Sequence, residues 1–223
     1  VYGSIAHAIM LNKIRILNKN ELKKLKKTLI EILKSNQKNK FDIKLEDEDV
    51  HTAIENYLTK KLGNLGKKIH TARSRNDQVL VDLRLYSKGK LLEVQKLALE
   101  LAFALVTAAE KYKEVPMPGY THSRKAMSSS VGLYFSSFAE SLIDDLEVLE
   151  EAYELNDQSP LGSGAGYGLP LNIDRQLTAD LLGFSKVQNN VLYVQNSRGK
   201  FESFIIFALG TVMNDLAKLS SDL

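Results

Sequence analysis

The chain has 223 residues, 44% of them hydrophobic, which is enough to bury the core of one large domain or two modest ones. Its 30 basic and 27 acidic side chains give a net charge of +3. This near balance excludes the strongly basic face typical of nucleic-acid-binding proteins and suits small anionic ligands. The absence of cysteine excludes disulfides, thiolate metal sites and a thiol nucleophile, and it agrees with a reducing cytoplasm.

The longest uncharged stretches, residues 126–139 and 203–214, are shorter than the roughly 18 to 20 apolar residues that a membrane-spanning helix needs. We therefore expect no transmembrane segment. The sequence begins at Val1 rather than Met, so we expect it to be either processed or a piece of a longer protein.

Two helices are predicted in the N-terminal part. Leucine and isoleucine recur at helical spacing among lysines over residues 18–35, which predicts a surface helix with one buried stripe. We interpret the lysines as its solvated face rather than as a docking surface for membrane or nucleic acid. The acidic run 46–49 complements the positive end of a second predicted helix, residues 47–62, which Gly63 and Gly66 end.

Three later segments repeat apolar residues at alternating spacings of three and four, the pattern of long helices packed in a bundle. The first of these helices is predicted over residues 74–113, roughly 60 Å at 1.5 Å per residue. The predicted fold class is all-α, with a small N-terminal helical domain, residues 1–74, followed by a long-helix bundle, residues 75–223. Helices of this length favour packing between subunits, and the last apolar seam continues to Leu223, so we expect the bundle to be truncated there.

Two segments, residues 115–122 and 159–170, carry the strongest loop signals, because both combine proline with glycine. Residues 191–194 are the best, though weak, candidate for a strand. The glycines of 162–168 do not predict a nucleotide site, because a phosphate-binding loop follows a strand and this segment follows a predicted helix ending near Asn156. We interpret them as a compact helix-to-helix connection with backbone N–H groups near a cleft.

The polar run 68–79 lies directly before the first long helix and is the leading candidate site. A helix that begins at Ser74 or Arg75 directs its unpaired N–H groups toward the same space as Arg75 and Asn76, which suits a carboxylate or phosphate. The alternative is simple capping, in which Ser74 or Asn76 caps the helix, Asp77 complements its dipole and the arginines reach solvent.

A second candidate is His122, which follows Thr121 in a segment expected to lead from a loop into a helix. An imidazole can donate or accept a proton, which suits acid–base catalysis, while the Thr121 hydroxyl can donate to an oxyanion. The alternative is that His122 only caps or packs. His51, His70 and His7 are weaker candidates, and none of the four histidines has metal-ligand spacing, so a metal site is not predicted.

Five motifs together resemble the argininosuccinate lyase family, in the family's order and over essentially the whole chain. They are residues 49–55 (DVHTAIE), 70–78 (HTARSRNDQ), 118–122 (PGYTH), 160–165 (PLGSGA) and 173–175 (IDR). The resemblance implies an all-α fold of the fumarase and aspartase superfamily, a small N-terminal domain, and a central bundle that pairs into a homotetramer. In that superfamily each active site combines segments of three subunits.

The reaction that this resemblance implies is the reversible elimination of arginine from argininosuccinate to give fumarate, without a metal or cofactor. By the same resemblance Arg75 and Asn76, with Ser74 beside them, bind substrate carboxylates. Thr121 contacts the fumarate portion and His122 is the acid or base partner, with His51 in support. The partner is therefore a small molecule, and neither nucleic acid nor membrane is expected.

The sequence also departs from the family pattern. The family's flexible serine-bearing loop and an earlier substrate-contacting serine do not fall within residues 1–223, so we expect this polypeptide not to turn over alone. Arg124 and Met127 stand where the family usually has glutamine, and Ser197 and Gly199, on either side of Arg198, stand where it has aspartate. Two alternatives stay open: a sister enzyme such as adenylosuccinate lyase, and an inactive structural relative of the δ-crystallin type.

Overall fold

The computed structural model describes residues Val1–Leu223 as two compact units. Unit 1 contains Val1–Tyr86 and Asp157–Arg198, and unit 2 contains Ser87–Asn156 and Gly199–Leu223. These units differ from the predicted division at residues 74 and 75, because the start of the first long helix and the segment after Asn156 pack with the N-terminal helices. The division into 1–74 and 75–223 stays a prediction about domains.

Nine α-helices and four short strands follow one another along the chain. They are α1 Tyr2–Lys13, α2 Lys19–Asn36, α3 Val50–Leu62, α4 Asn64–Lys67, α5 Arg75–Lys111, β1 Pro116–Thr121, β2 Arg124–Ser130, α6 Val131–Asn156, β3 Gln158–Ser159, α7 Arg175–Leu181, β4 Lys186–Val187, α8 Val191–Asn196 and α9 Lys200–Asp222. Single 3₁₀ turns lie at Leu45–Asp47 and Lys68–His70. The all-α prediction is confirmed, since the strands are short and the long helices dominate.

Unit 1 is built on α1 to α4 with α7. Asn18 and Glu21 form a capping box that begins α2, and the apolar stripe of α2 packs on α1 and α3 in a core that includes Leu11, Leu25 and Leu58. Gly66 lies against the backbone of α3, where an added Cβ would be 2.5 Å from the carbonyl carbon of Leu58. A smaller cluster of Val81, Leu161, Ala179 and Phe184 holds the segment 157–187 on the start of α5.

Unit 2 is a bundle of α6 and α9 with the remainder of α5. Its core repeats the predicted seams, with buried Leu91, Ala102, Leu142, Leu149 and Ala208 among its members. The predicted first helix, residues 74–113, is confirmed as α5 within two residues at each end.

Helix α9 is long and apolar enough, by length and composition alone, to resemble a membrane span. A core helix of a bundle satisfies the same criterion. In unit 2 this helix packs on α6 through Ala208 and Val212, and it carries the ion pair of Asp215 with Lys218, 2.9 Å apart.

Two local predictions are wrong. Residues 115–122, predicted as a loop, form β1 of an antiparallel hairpin with β2, in which Thr121 is the register partner of Arg124. Residues 191–194, the candidate strand, form α8, because the Asn190 side chain accepts from the backbone N–H groups of Leu192 and Tyr193 and so caps a helix.

Candidate active site

The capping contacts that the sequence analysis gave as an alternative to ligand binding are present at the start of α5 in unit 1. The Ser74 hydroxyl oxygen accepts from the Asn76 N–H at 3.3 Å, and the Asp77 carboxylate accepts from the Ser74 N–H at 3.1 Å. Ser74 and Asp77 therefore fix the start of the helix, and this places Arg75 and Asn76 in its first turn.

Arg75 does not reach solvent freely, because α3 and its N-cap residue Asp49 supply its partners. Its Nε lies 3.3 Å from the Asp49 carboxylate, its Nη2 donates to the Thr52 hydroxyl at 3.1 Å, and its Nη1 lies 3.8 Å from the Glu55 carboxylate. Glu55 also accepts from His70 Nδ1 at 3.0 Å. The motif 49–55 thus packs on the motif 70–78, and two carboxylates offset the positive charge of Arg75.

Asp77 connects the same motif to the glycine-rich segment. Its side chain is fully buried, and its Oδ2 accepts from the N–H groups of Gly162 at 3.2 Å and Gly164 at 3.1 Å. Burial raises the pKa of the Asp77 carboxyl, while nearby Arg73 and the three backbone N–H groups oppose that rise. The glycine N–H groups that we expected near a cleft are therefore used, at these two positions, to hold a carboxylate of the protein.

Arg175 attaches the last of the unit 1 motifs to this arrangement. Its Nε donates to the Leu161 carbonyl at 3.0 Å and its Nη2 donates to the Gln188 carbonyl at 2.9 Å. Burial lowers the pKa of the Arg175 guanidinium. Four of the five motifs, all except residues 118–122, are consequently joined by direct polar contacts within unit 1.

Asn76 has a partner that the sequence analysis did not identify. Arg198, which lies between α8 and α9, donates from Nη2 to the Asn76 side-chain oxygen at 3.2 Å and to the Asn76 carbonyl at 3.4 Å. The only signal in the sequence was that Arg198 lies between Ser197 and Gly199, which both depart from the family pattern.

His51 lies buried on α3, with its Nε2 3.8 Å from the Asp82 carboxylate of α5. It therefore belongs to unit 1, with Ser74, Arg75 and Asn76. Burial raises the pKa of the Asp82 carboxyl.

Thr121 and His122 belong to unit 2, at the turn of the β1–β2 hairpin. His122 and Ser123 have φ angles of 50° and 61°, the left-handed pair typical of a tight two-residue turn. His122 is thus at an exposed hairpin tip rather than at the predicted junction with a helix, since α6 begins only at Val131. Its side chain neither caps a helix nor packs in a core.

The departures from the family pattern have local explanations at two positions. Gly199 has φ 81°, a conformation that glycine adopts without strain, and it begins α9. Ser197 is buried, donates to the Val194 carbonyl at 2.9 Å and accepts from the Gln188 amide at 3.0 Å, so a charged side chain would be costly there. Arg124 and Met127 are exposed on β2, and nothing in the structure explains their identity.

No group of three or more His, Asp and Glu side chains in the chain is arranged to hold a metal ion. Asn76, with Arg75 and Arg198 beside it, can instead bind an anion.

The chain, an all-helical fold with a long-helix bundle, belongs to the lyase family, whose model matches residues 3–223. Its curated relatives include proteins named argininosuccinate lyase. That of Thermotoga neapolitana is 48% identical over 100% of this chain and 56% of its own length, and that of Bacteroides thetaiotaomicron is 46% identical over 100% and 50%. The chain spans about half the length of the curated relatives it matches, and the resemblance drawn from the five motifs is confirmed.

Solved structures show the same fold. EDDS lyase in complex with formate has a TM-score of 0.89 at 23% identity, over 99% of this chain and 43% of that one. A fumarate lyase:delta crystallin from Brucella melitensis bound to cobalt has a TM-score of 0.81 at 19% identity, over 99% and 53%. At these identities the likeness concerns the fold alone.

Proposed function

We propose that the full-length protein is an argininosuccinate lyase, which eliminates arginine from argininosuccinate reversibly and releases fumarate in arginine biosynthesis. The observation that carries the proposal is the 48% identity, over the whole chain, to a relative of that name. The contacts between four of the motifs in unit 1 support it, because they join Arg75 and Asp77, the residues on either side of Asn76, to a connected set of polar contacts.

The proposed chemistry requires removal of a weakly acidic C–H proton beside a carboxylate. Most of the work is then to stabilise the doubly charged intermediate, and positively charged or N–H donors suit that task. Arg75 and Asn76, with Ser74 beside them, bind the substrate carboxylates. Thr121 contacts the fumarate portion, and His122 acts as the acid or base partner in proton transfer. His51 acts in a supporting role. No metal or cofactor takes part in this scheme.

We also propose that the protein assembles as a homotetramer with active sites shared between subunits. Large apolar side chains are exposed on the bundle helices of unit 2, notably Phe103 at 73%, Ile206 at 68% and Met213 at 62%. A helix bundle of a second copy would bury them. Light scattering should give a tetramer, and a stable monomer would contradict this assembly. We place the enzyme in the cytoplasm, acting on a small molecule and without nucleic-acid or membrane partners.

The test is fumarate release by the full-length protein, followed by ultraviolet absorbance, with argininosuccinate and adenylosuccinate offered in parallel. Release from argininosuccinate alone supports the proposal, and release from adenylosuccinate alone replaces it with the sister activity. A folded tetramer that acts on neither substrate would be a structural relative, and Arg124, Met127 and Gly199 would be the first positions to revert.

The role of His122 has its own test in the same assay. His122→Asn should lower kcat about a hundredfold or more, the usual contribution of a proton-transferring side chain. Lys125→Gln changes an exposed residue of the same hairpin and should leave turnover and assembly intact. Unchanged turnover in His122→Asn would remove His122 from the mechanism.

A further inference from the structure

The Asn76 side-chain amide accepts a hydrogen bond from Arg198. A guanidinium only donates hydrogen bonds, so the Asn76 atom that lies 3.2 Å from Arg198 Nη2 must be the amide oxygen. The amide nitrogen of Asn76, by contrast, donates no hydrogen bond within the chain and is left to meet a ligand. An asparagine held in this way presents a donor, which is what a carboxylate needs.

Arg198 also differs from Arg75 in its electrostatic surroundings. Arg75 is shared between the carboxylates of Asp49 and Glu55, whereas Arg198 is exposed and forms no ion pair within the chain. The positive charge beside Asn76 that no carboxylate neutralises is therefore that of Arg198. A positive charge at this point strengthens the donor character of the amide that it polarises.

Hydrogen bonds fix the residue before Arg198, and a left-handed glycine follows it. The preceding Ser197 is buried and bonded to Gln188 and Val194, the Arg198 N–H donates to the Gln195 carbonyl at 3.3 Å, and the following Gly199 takes a left-handed conformation. The residues that differ from the family pattern thus shape the turn that delivers the guanidinium to Asn76.

We propose that Arg198 is a positioning residue, which fixes the Asn76 amide with its nitrogen toward a carboxylate of the dicarboxylate substrate. Without this contact the amide can rotate and present its oxygen, which repels a carboxylate. The inference rests on the proposed function for the identity of the substrate.

The test compares three variants of the full-length protein in the fumarate-release assay. Arg198→Met keeps the length of the side chain without charge or donors, and it should raise KM about tenfold or more with a smaller change in kcat, since one charge-assisted hydrogen bond is worth about that factor. Arg198→Lys, which can donate to the same oxygen, should recover part of the loss. Arg15→Met removes an exposed arginine from the same unit, away from Asn76, and is the matched control.

A double-variant cycle separates orientation of Asn76 from a general loss of structure. If Arg198 acts through Asn76, then Asn76→Ala combined with Arg198→Met should have the same KM as Asn76→Ala alone. Additive losses, or an Arg198→Met enzyme with wild-type KM, would overturn the proposal while leaving the proposed function intact.

Calorimetric titration with fumarate tests the proposal without relying on turnover. Wild-type protein should bind fumarate, and Arg198→Met should bind it about tenfold more weakly. Equal affinity, or no binding by the wild-type protein, would overturn the role of Arg198. A protein that binds fumarate through Arg198 but does not release it from argininosuccinate would retain this proposal and lose the proposed function.

Discussion

The buried histidine of α1 makes the stability of unit 1 depend on pH. His7 is 1% exposed, and its Nε2 donates to the Thr71 carbonyl at 2.8 Å, just before Arg73 and the start of α5. Burial, with a smaller effect of the nearby Arg73 charge, lowers the pKa of His7 from 6.5 to about 3. The folded protein therefore keeps this ring neutral at pH values where the unfolded chain protonates it.

The sign of the effect follows from the lowered pKa. The contribution of His7 to stability is fully present above pH 6.5 and is lost progressively as the pH falls from 6.5 toward 3. Each pH unit in that window corresponds to about 1.4 kcal/mol. At pH 5, about 1.5 units below the unfolded pKa of 6.5, the free energy of unfolding should be about 2 kcal/mol lower than at neutral pH because of this residue alone.

Urea unfolding, followed by circular dichroism at pH 7 and pH 5, measures this loss. His7→Gln keeps a donor for the Thr71 carbonyl but cannot titrate, so it should lose about 2 kcal/mol less than the wild type between the two pH values. This difference holds whatever the stability of the variant at pH 7. His122→Gln, on an exposed turn, controls for the loss of one histidine. Equal pH dependence of wild type and His7→Gln would show that His7 is not the source of the loss of stability at pH 5.

Two further substitutions test the packing of unit 1 by urea unfolding at neutral pH. Asp77→Asn should lower the free energy of unfolding by about 2 to 4 kcal/mol, because an amide accepts at only one end, so at least one buried N–H loses its acceptor, and because the carboxylate that interacts most strongly with the buried Arg73 charge is removed. A variant as stable as the wild type would show that the carboxylate is not needed. Gly66→Ala should cost about 1 to 3 kcal/mol, because its Cβ meets the backbone of Leu58. Gly89→Ala, which meets nothing within 4 Å, should instead stabilise α5 by about 0.5 to 1 kcal/mol, and equal losses in the two would contradict the steric argument.

The long helices were predictable because their signals are local. The apolar seam of α5 and the polar run before it predicted residues 74–113, and the helix runs from Arg75 to Lys111. Asn18 and Glu21 similarly stand at the spacing of a capping box, and both bonds are formed. In each case the residues that determine the element lie within a few turns of one another.

The hairpin was not predictable in this way, because its prolines read as loop residues. Pro116 and Pro118 are two residues apart in β1, so both missing N–H groups lie on the same edge of the strand. A two-stranded ribbon leaves one edge of each strand unpaired and tolerates such residues. Only the pairing with β2 reveals the strand, and that pairing is a tertiary contact.

The charges of the candidate site also depend on tertiary contacts that a local sequence pattern does not reveal. A motif with two arginines predicts where positive charge lies along the chain, but the packing decides which charge stays available to a ligand. Asp49, the N-cap of α3, and Glu55 of α3 offset the charge of Arg75, while Arg198, from the turn before α9, contacts Asn76 and forms no ion pair. The sequence predicts that Asn76 faces the same space as Arg75, and this stays a prediction. The arginine that controls its orientation is more than a hundred residues away in sequence, and no local pattern connects the two.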